Sequence, residues 1–504
     1  MARTRRPVPD LLYIHTDQHN PFVTGCYGDA VVDTPHLDAL AAAGTVFDAA
    51  YCTSPICVPS RMSMLTGRHP HQNGVWTNDH MLPSDTPTIA HAMGAAGHRP
   101  VLIGRMHSVG PDQLHGYVDR LVGDHAANYS GGVAHDMGAL AGTAGPERIS
   151  LRHAGAGQSP YQVHDEYVAA ATVDCLNRIG VRRRAGEEAP FCLSVGLMLP
   201  HPPYVARRQD FDRYAGRLPP PHHPEPFSER LHPYLRAWRS ATGIEAVGAA
   251  EQERARAAYW GLVTRVDKLV GQMLAALDAN GLRDRCLVVY TSDHGDMVGE
   301  HGLWWKHVFY EESIRVPLIV SWPGVVAGGQ RCANVVSAVD VAATLVDAMD
   351  GPQLPGSPGR SVLPLIREES AGRAPSEAWT DEAFAEYCAD RYVPSEPVFQ
   401  RMVRSGRWKL VYYHGDRPQL FDLHDDPHEL RDRAGDPACA DIRAALTQRV
   451  MDGWDPEAIA RRLDAREADN RLIEAWARST RPADTHRWQL LPSMARLEAP
   501  DSGD

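Results

Sequence analysis

The 504-residue chain has no apolar run approaching the roughly 20 residues of a membrane-spanning helix. It also has no basic tract to offset its acidity: Lys plus Arg number 51 against 63 Asp plus Glu, a formal charge of −12. Neither a membrane nor a nucleic acid is therefore expected as a partner. The nine cysteines (26, 52, 57, 175, 192, 286, 332, 388 and 439) are odd in number, scattered, and contain no CxxC pair. That excludes a disulfide framework and a structural zinc site of ordinary spacing, and it fits a reducing compartment. No internal repeat is visible, so a solenoid is out. The N-terminal MARTRRPVPD is basic but enters LLYIHTD without an apolar stretch of signal-peptide length. A cytoplasmic location is expected.

Hydrophobic residues at 43% and charged residues at 23% are ordinary for a globular protein, and 504 residues exceed what one core usually holds. Strand-like runs alternate with helix-like segments: LLYIHTD (11–17), a helix at 35–44, VFDAAYC (46–52), a helix at 86–98, RPVLIGR (99–105), and a helix at 163–184. PFCLSVGLMLP (190–200), a long helix near 248–280, CLVVYTSD (286–293) and VPLIVSWP (316–323) continue the pattern. Such alternation predicts an α/β fold, a large mostly parallel sheet sandwiched by helices. After about residue 370 the pattern becomes a short antiparallel meander (398–423) followed by helices near 437–451 and 455–479. We expect a catalytic domain over 1–370 and a smaller C-terminal α+β subdomain with a helical tail over 371–504. Segments 108–160 and 205–245 are long and irregular, which marks them as candidate substrate walls.

Chemistry concentrates around ICVPSRMSMLTGR (56–68). Cys57 opens a predicted helix, where free backbone N–H groups and the dipole suit an anionic substrate. Arg61, one turn on, offers a planar fork for sulfate or phosphate oxygens. Asp17-Gln18 and Asp293-His294 end two predicted strands, where an α/β sheet carries its ligands. Their oxygens suit calcium, while the imidazole shifts the balance towards manganese. Taken alone, either pair is a turn or a loop start; together, beside Cys57, they read as one divalent-cation site. Arg105, His107, His201 and Lys306 follow later strands and supply the cationic donors and proton source that cleavage of a sulfate monoester requires.

Cys57-x-Pro59-Ser60-Arg61 closed by Leu65-Thr66-Gly67-Arg68 resembles the nucleophile segment of the type I sulfatases, within the alkaline phosphatase superfamily. Asp17-Gln18, Arg105-x-His107, His201-x-Pro203, Asp293-His294 and Lys306 fall in that family's order, and QLFDLHDDPHEL (419–430) is similar to its C-terminal element. Asp-Gln with Asp-His, and GRMHSVGPDQLHGYVDRL (104–121), are particularly similar to bacterial choline sulfatases and phosphonate monoester hydrolases. The resemblance implies an alkaline phosphatase-like fold. It implies that a formylglycine-generating enzyme oxidises Cys57 to formylglycine, whose hydrate attacks sulfur, with one metal, Ca2+ or alternatively Mn2+, on Asp17, Gln18, Asp293 and His294.

In that scheme Arg61, Arg105 and Lys306 neutralise the sulfuryl group, His201 protonates the leaving alcohol, His107 is the base that releases sulfate, and Asn78 contacts the bound oxyanion. The chain departs from the family at Arg105, where lysine is usual. GDHAANYSGG (123–132) also lacks a tryptophan to hold a quaternary ammonium; Tyr129 is its aromatic. The expected substrate is the sulfate ester of a small alcohol or phenol. A phosphonate monoester or phosphodiester is the alternative within hydrolases, and an anion- or metal-binding protein with unmodified Cys57 is the alternative outside them. The polar tail after about residue 480 is expected to reach a neighbouring subunit of a homo-oligomer. Arg182–Arg184 reads as a solvated helix end, HPHQNG (69–74) as a turn, and Trp304-Trp305 as either pocket wall or packing.

Overall fold

The computed structural model describes residues 8–370, 379–388, 393 and 398–498. Residues 1–7 of the basic N-terminus, and the boundary expected between 370 and 371, fall at or beyond the edge of these described residues.

Strands rich in Leu, Val and Ile with little alternation bury both faces, and that is what the main sheet does. Its eight strands are β1 (Asp10–Asp17), β2 (Thr45–Tyr51), β3 (Pro100–Gly104), β4 (Asp119–Arg120), β6 (Cys192–Pro200), β8 (Cys286–Ser292), β9 (Leu318–Ser321) and β10 (Gln330–Ser337). They lie in the order β10-β2-β9-β8-β1-β6-β3-β4. Every residue of β1, β6 and β8 is buried. Fully burying one Leu, Ile or Val side chain contributes about 1.5–3 kcal/mol, so these three strands anchor the core. All pairings are parallel except those of β9, which runs antiparallel to both β8 and β2. VPLIVSWP thus forms a buried strand as expected, but against the sheet's direction.

Helix Pro160–Arg184 starts on Ser159, whose hydroxyl accepts from Gln162 N, with Pro160 in the first turn. It packs with helix Ala249–Ala279 against β6. Helix Cys57–Thr66 packs with Ala338–Ala348. A second sheet, β11 (Glu382–Cys388), β12 (Phe399–Ser405), β13 (Trp408–Tyr413) and β14 (Gln419–Asp422), is antiparallel and meanders in sequence order. Helix Ala440–Met451 closes its own small core of Val403, Leu410, Leu420, Leu446 and Val450. The fold is therefore a mixed α/β sandwich with a C-terminal antiparallel subdomain.

Three expectations are corrected and one open alternative, at Trp304-Trp305, is decided. Arg183 is not merely solvated: its guanidinium bonds Asp10 Oδ1 at 2.9 Å, because Asp10 opens a buried strand and needs a cation. HPHQNG is a one-turn helix, Pro70–Asn73, whose His71 Nδ1 meets Glu386 Oε1 at 2.9 Å. Trp304 and Trp305 pack, each 1% exposed, with Trp305 Nε1 donating to Ser150 Oγ at 3.0 Å. The tail folds onto its own chain: Arg496–Leu497 (β15) pairs with β5 (Gly155–Gln158), which also pairs with β7 (Val205–Ala206). No described helix is long and apolar enough to cross a membrane.

Candidate active site

Four neighbouring parallel strands, β8, β1, β6 and β3, deliver the candidate residues at their carboxyl ends. Asp293-His294 follow β8, Asp17-Gln18 close β1, His201 follows β6, and Arg105 follows β3. The close approach needs glycine at two places. A Cβ on Gly104 (φ +86°) would sit 2.3 Å from the Gly196 carbonyl oxygen, and one on Gly196 would sit 1.7 Å from that of Arg105. A side chain at either position would push Arg105 out of place.

Cys57 is the first residue of a helix whose ten residues are all buried. Asn78 Oδ1 accepts from Val58 N at 2.9 Å and so fills one of the helix's free donors. Ser60 Oγ donates to the Asp293 carbonyl at 2.6 Å, pinning helix to strand end. Around Cys57 Sγ stand Lys306 Nζ at 3.0 Å, His294 Nε2 at 3.3 Å and Asp17 Oδ1 at 3.6 Å. The ligand atoms of Asp17, Cys57, Asp293 and His294 lie within 4.8 Å of one another, all buried.

Asp17 and His294 are in the protonation states that suit metal binding. Burial pushes the Asp17 carboxyl up, but Arg105, His201, Arg61 and Lys306 outweigh it and hold it well below the ordinary value. Burial lowers His294 to about 4, against the pull of Asp293, so the imidazole is neutral. Its Nδ1 faces the Gly295 carbonyl at 3.1 Å, which turns Nε2 towards the carboxylates, the arrangement that orients a metal-binding histidine. Two carboxylates and a bare imidazole nitrogen fit a divalent cation. Gln18 (φ +68°) joins through its backbone N–H, 3.0 Å from Asp293 Oδ1, while its side-chain carbonyl accepts from Lys306 at 2.8 Å.

The two arginines do something the sequence reading did not assign them. Arg61 donates from Nε to Asp293 Oδ2 (2.8 Å) and from its second terminal nitrogen to Asp17 Oδ2 (3.1 Å) and the Thr16 carbonyl (3.0 Å); its first meets His15 Nδ1 (3.0 Å). It is wholly buried and braces the carboxylates from behind. Arg105 donates from Nε to Asp17 Oδ2 (2.6 Å) and from its terminal nitrogens to Asp124 Oδ1 (3.2 Å) and His107 Nδ1 (2.9 Å). His107 N in turn donates to Asp124 Oδ2 at 2.7 Å. His201 faces Cys57, and its Nδ1 donates to the Pro202 carbonyl at 2.6 Å, so the neutral ring accepts at Nε2. Burial and then Lys306 lower its basicity.

Every candidate residue thus reaches one locus, directly or through Arg105 or the Cys57 helix. Sequence reasoning missed Asp124 and Asp296. Asp124 gathers Arg105 and His107 from inside an irregular segment. Asp296 accepts from Gln18 Nε2 (2.6 Å) and Tyr204 OH (2.7 Å), fixing the glutamine; a carboxylate three residues after Asp293 was the available signal.

The sulfatase family profile matches residues 9–351, and that of the N-sulphoglucosamine sulphohydrolase C-terminal region matches 299–454. The chain is 33% identical to a choline-sulfatase of Rhizobium meliloti (strain 1021) over 475 residues, 89% of this chain and 88% of that protein. Arylsulfatase K of Gallus gallus is 29% identical over 454 residues, 84% and 78% of the two chains. Among solved structures, the phosphonate monoester hydrolase of Agrobacterium radiobacter superposes with a TM-score of 0.70 at 23% identity, covering 88% of this chain and 95% of that one. With a family profile spanning most of its length and a strand-end cluster built for an anionic ester, the chain belongs to the sulfatase family and is a sulfuric ester hydrolase.

Proposed function

We propose that the protein hydrolyses the sulfate monoester of a small alcohol or phenol, with Cys57 matured to formylglycine by a formylglycine-generating enzyme. The observation that carries this reading is the placement of Cys57 Sγ between Lys306 Nζ, His294 Nε2 and Asp17 Oδ1. Asp17, Gln18, Asp293 and His294 would hold one divalent cation, with Ca2+ favoured over Mn2+ by the carboxylate share of the set. A cation there supplies Lewis acidity toward a sulfate oxygen, and formylglycine supplies the attacking oxygen.

The chain's own residues do the rest. Lys306 keeps its charge, since burial is outweighed by Cys57, Asp17 and Asp293, and it stabilises anionic oxygens beside residue 57. His201 accepts at Nε2 when neutral and gives a proton to the leaving oxygen when charged. His107, held neutral by burial and by Arg105, accepts from Arg105 at Nδ1 and carries its proton at Nε2, so it serves as the base once Arg105 releases Nδ1. Arg61 and Arg105 act through Asp17: they keep it ionised and aimed. Asn78 Nδ2 makes no hydrogen bond to the described protein and is offered to an ester oxygen.

Mass spectrometry of the tryptic peptide ending at Arg61, from protein made with an aerobic formylglycine-generating enzyme, tests the maturation. Thiol-to-aldehyde mass loss together with aryl sulfate turnover is expected; an unmodified Cys57 in an active enzyme would remove the scheme. A second reading, phosphonate monoester or phosphodiester hydrolysis, draws on 29% identity over 462 residues to the multifunctional alkaline phosphatase superfamily protein PehA of Trinickia caryophylli. Turnover of an aryl sulfate against that of a phenyl phosphonate ester separates the two. The nine free thiols support a cytoplasmic location. We retain the division at 370/371 and a homo-oligomer as proposals; exposed Leu472 and Trp476 offer a contact face, and sedimentation reads the oligomer.

A further inference from the structure

Tyr161 lies in the first turn of helix Pro160–Arg184, a position that places its ring against the strand-end cluster. Its ring centroid is 5.9 Å from that of His201 and 4.8 Å from that of His125, and His125 in turn lies 6.2 Å from His135. These rings form a continuous run from beside Cys57 outward. Tyr161 is 5% exposed overall, and its hydroxyl, which makes no hydrogen bond to the described residues, is not among the fully enclosed polar atoms, so it opens towards solvent beside the cluster. A hydroxyl left unbonded by the protein and open beside a reaction centre is free to donate to a ligand there.

The neighbouring cationic donors are committed elsewhere. Arg105 gives Nε to Asp17 and its terminal nitrogens to Asp124, His125 and His107. Asp124 is turned into Arg105 and His107. The Tyr161 phenol feels the charges of Arg105, Asp17, Asp124 and Cys57, which agrees with the ring contacts in placing it beside the same cluster. Burial raises the phenol above its ordinary value, which keeps it a donor at neutral pH.

We propose that Tyr161 contacts the substrate on its leaving-group side, its hydroxyl donating to an ester oxygen and its ring, with that of His125, flanking the alcohol. The geometry follows from His201: the group placed to protonate the leaving oxygen is also the ring that Tyr161 approaches. The proposal rests on the sulfatase reading above and assigns that site a donor beyond the expected set. Charge grows on the leaving oxygen in the transition state, so a hydroxyl aimed there contributes more for poor leaving groups than for good ones.

The test compares wild type, Tyr161→Phe and Tyr161→Leu on 4-nitrophenyl sulfate and on phenyl sulfate, with melting temperature and bound metal measured on each. For Tyr161→Phe we expect kcat/KM to fall about tenfold on phenyl sulfate and less on 4-nitrophenyl sulfate, with melting temperature and metal content unchanged. Tyr161→Leu should lose further activity on both esters through loss of the flanking ring. An active wild type matched within twofold by Tyr161→Phe on both esters overturns this proposal alone, as does an equal loss on the two. A wild type inert toward both esters overturns the sulfatase reading and this proposal with it.

Discussion

The chain contains three lysines, and two of them, Lys306 and Lys409, are buried at the centres of two carboxylate-rich clusters. Lys306 lies among Gln18, Cys57, Asp17 and Asp293, with Arg61 and Arg105 braced against the same carboxylates. Lys409, on β13, donates to the Phe309 carbonyl (2.8 Å) and Glu311 Oε1 (3.0 Å) and contacts Glu429; Glu312 stands beside them. In the first cluster the cations win over burial and Asp17 stays ionised. In the second, Lys409 is shared between Glu311 and Glu429, while Arg315, 3.8 Å away, adds to Glu311 alone and helps hold it below its ordinary value. Burial and then Glu429 push Glu312 up to about 8; burial holds Glu429 at about 7 even though Lys409 touches it. The share of cations each buried carboxyl receives thus decides whether it stays ionised, as Asp17 and Glu311 do, or keeps a proton, as Glu312 does.

That contrast can be broken in order of expected effect. Cys57→Ala removes the atom around which the first cluster is organised, and turnover of an aryl sulfate should fall by on the order of 10⁴-fold or more, read by steady-state kinetics. Lys409→Met removes the buried cation that Glu311 and Glu429 share; we expect a loss of about 3–5 kcal/mol in chemical denaturation. Arg61→Lys keeps the charge but cannot span Asp17, Asp293 and the Thr16 carbonyl together, so metal affinity should drop about 10–100-fold by calorimetric titration.

Glu312→Gln sharpens the comparison through pH. Glu312 keeps its proton in the folded chain up to about pH 8 but loses it near the ordinary glutamate value of 4.5 when unfolded. The stability it lends is fully present below the unfolded value and declines as pH rises through 8. The wild-type melting temperature should therefore decrease from pH 5 to pH 9, and Glu312→Gln should flatten that slope by a few degrees. A slope unchanged in the variant would assign the titration elsewhere.

Much of the site was legible because parallel strands place chemistry at their carboxyl ends, and an apolar run followed by Asp-Gln, Asp-His or Arg-x-His shows where a strand stops. The direction of β9 was not legible, since VPLIVSWP is equally buried either way. Strand β10 was missed because QRCANVVS mixes polar and apolar residues at a sheet edge. Arg61 was assigned to the sulfate because its type and spacing suit an oxyanion; only the fold shows its donors spent on Asp17, Asp293 and the Thr16 carbonyl. Asp124 sits in a segment whose composition carries no periodicity, and Tyr161 lies two residues before the helix expected from 163, so what they touch is decided by tertiary packing.

The tail has a consequence in time. Trp488 N donates to the Asp124 carbonyl at 2.8 Å, Arg487 Nε to that of His125 at 2.9 Å, and Asp484 Oδ1 accepts from Asn128 N at 2.9 Å. The loop that holds Arg105 and His107 is thus fastened by residues synthesised more than 400 positions after Cys57. At ribosomal speed that is an interval of about 20–90 s. During it the thiol has left the ribosome while its final enclosure has yet to be made. In the finished molecule Cys57 is 1% exposed on a helix with no exposed residue. The proposed oxidation therefore belongs to the nascent chain, and the last turn of the tail closes the door behind it.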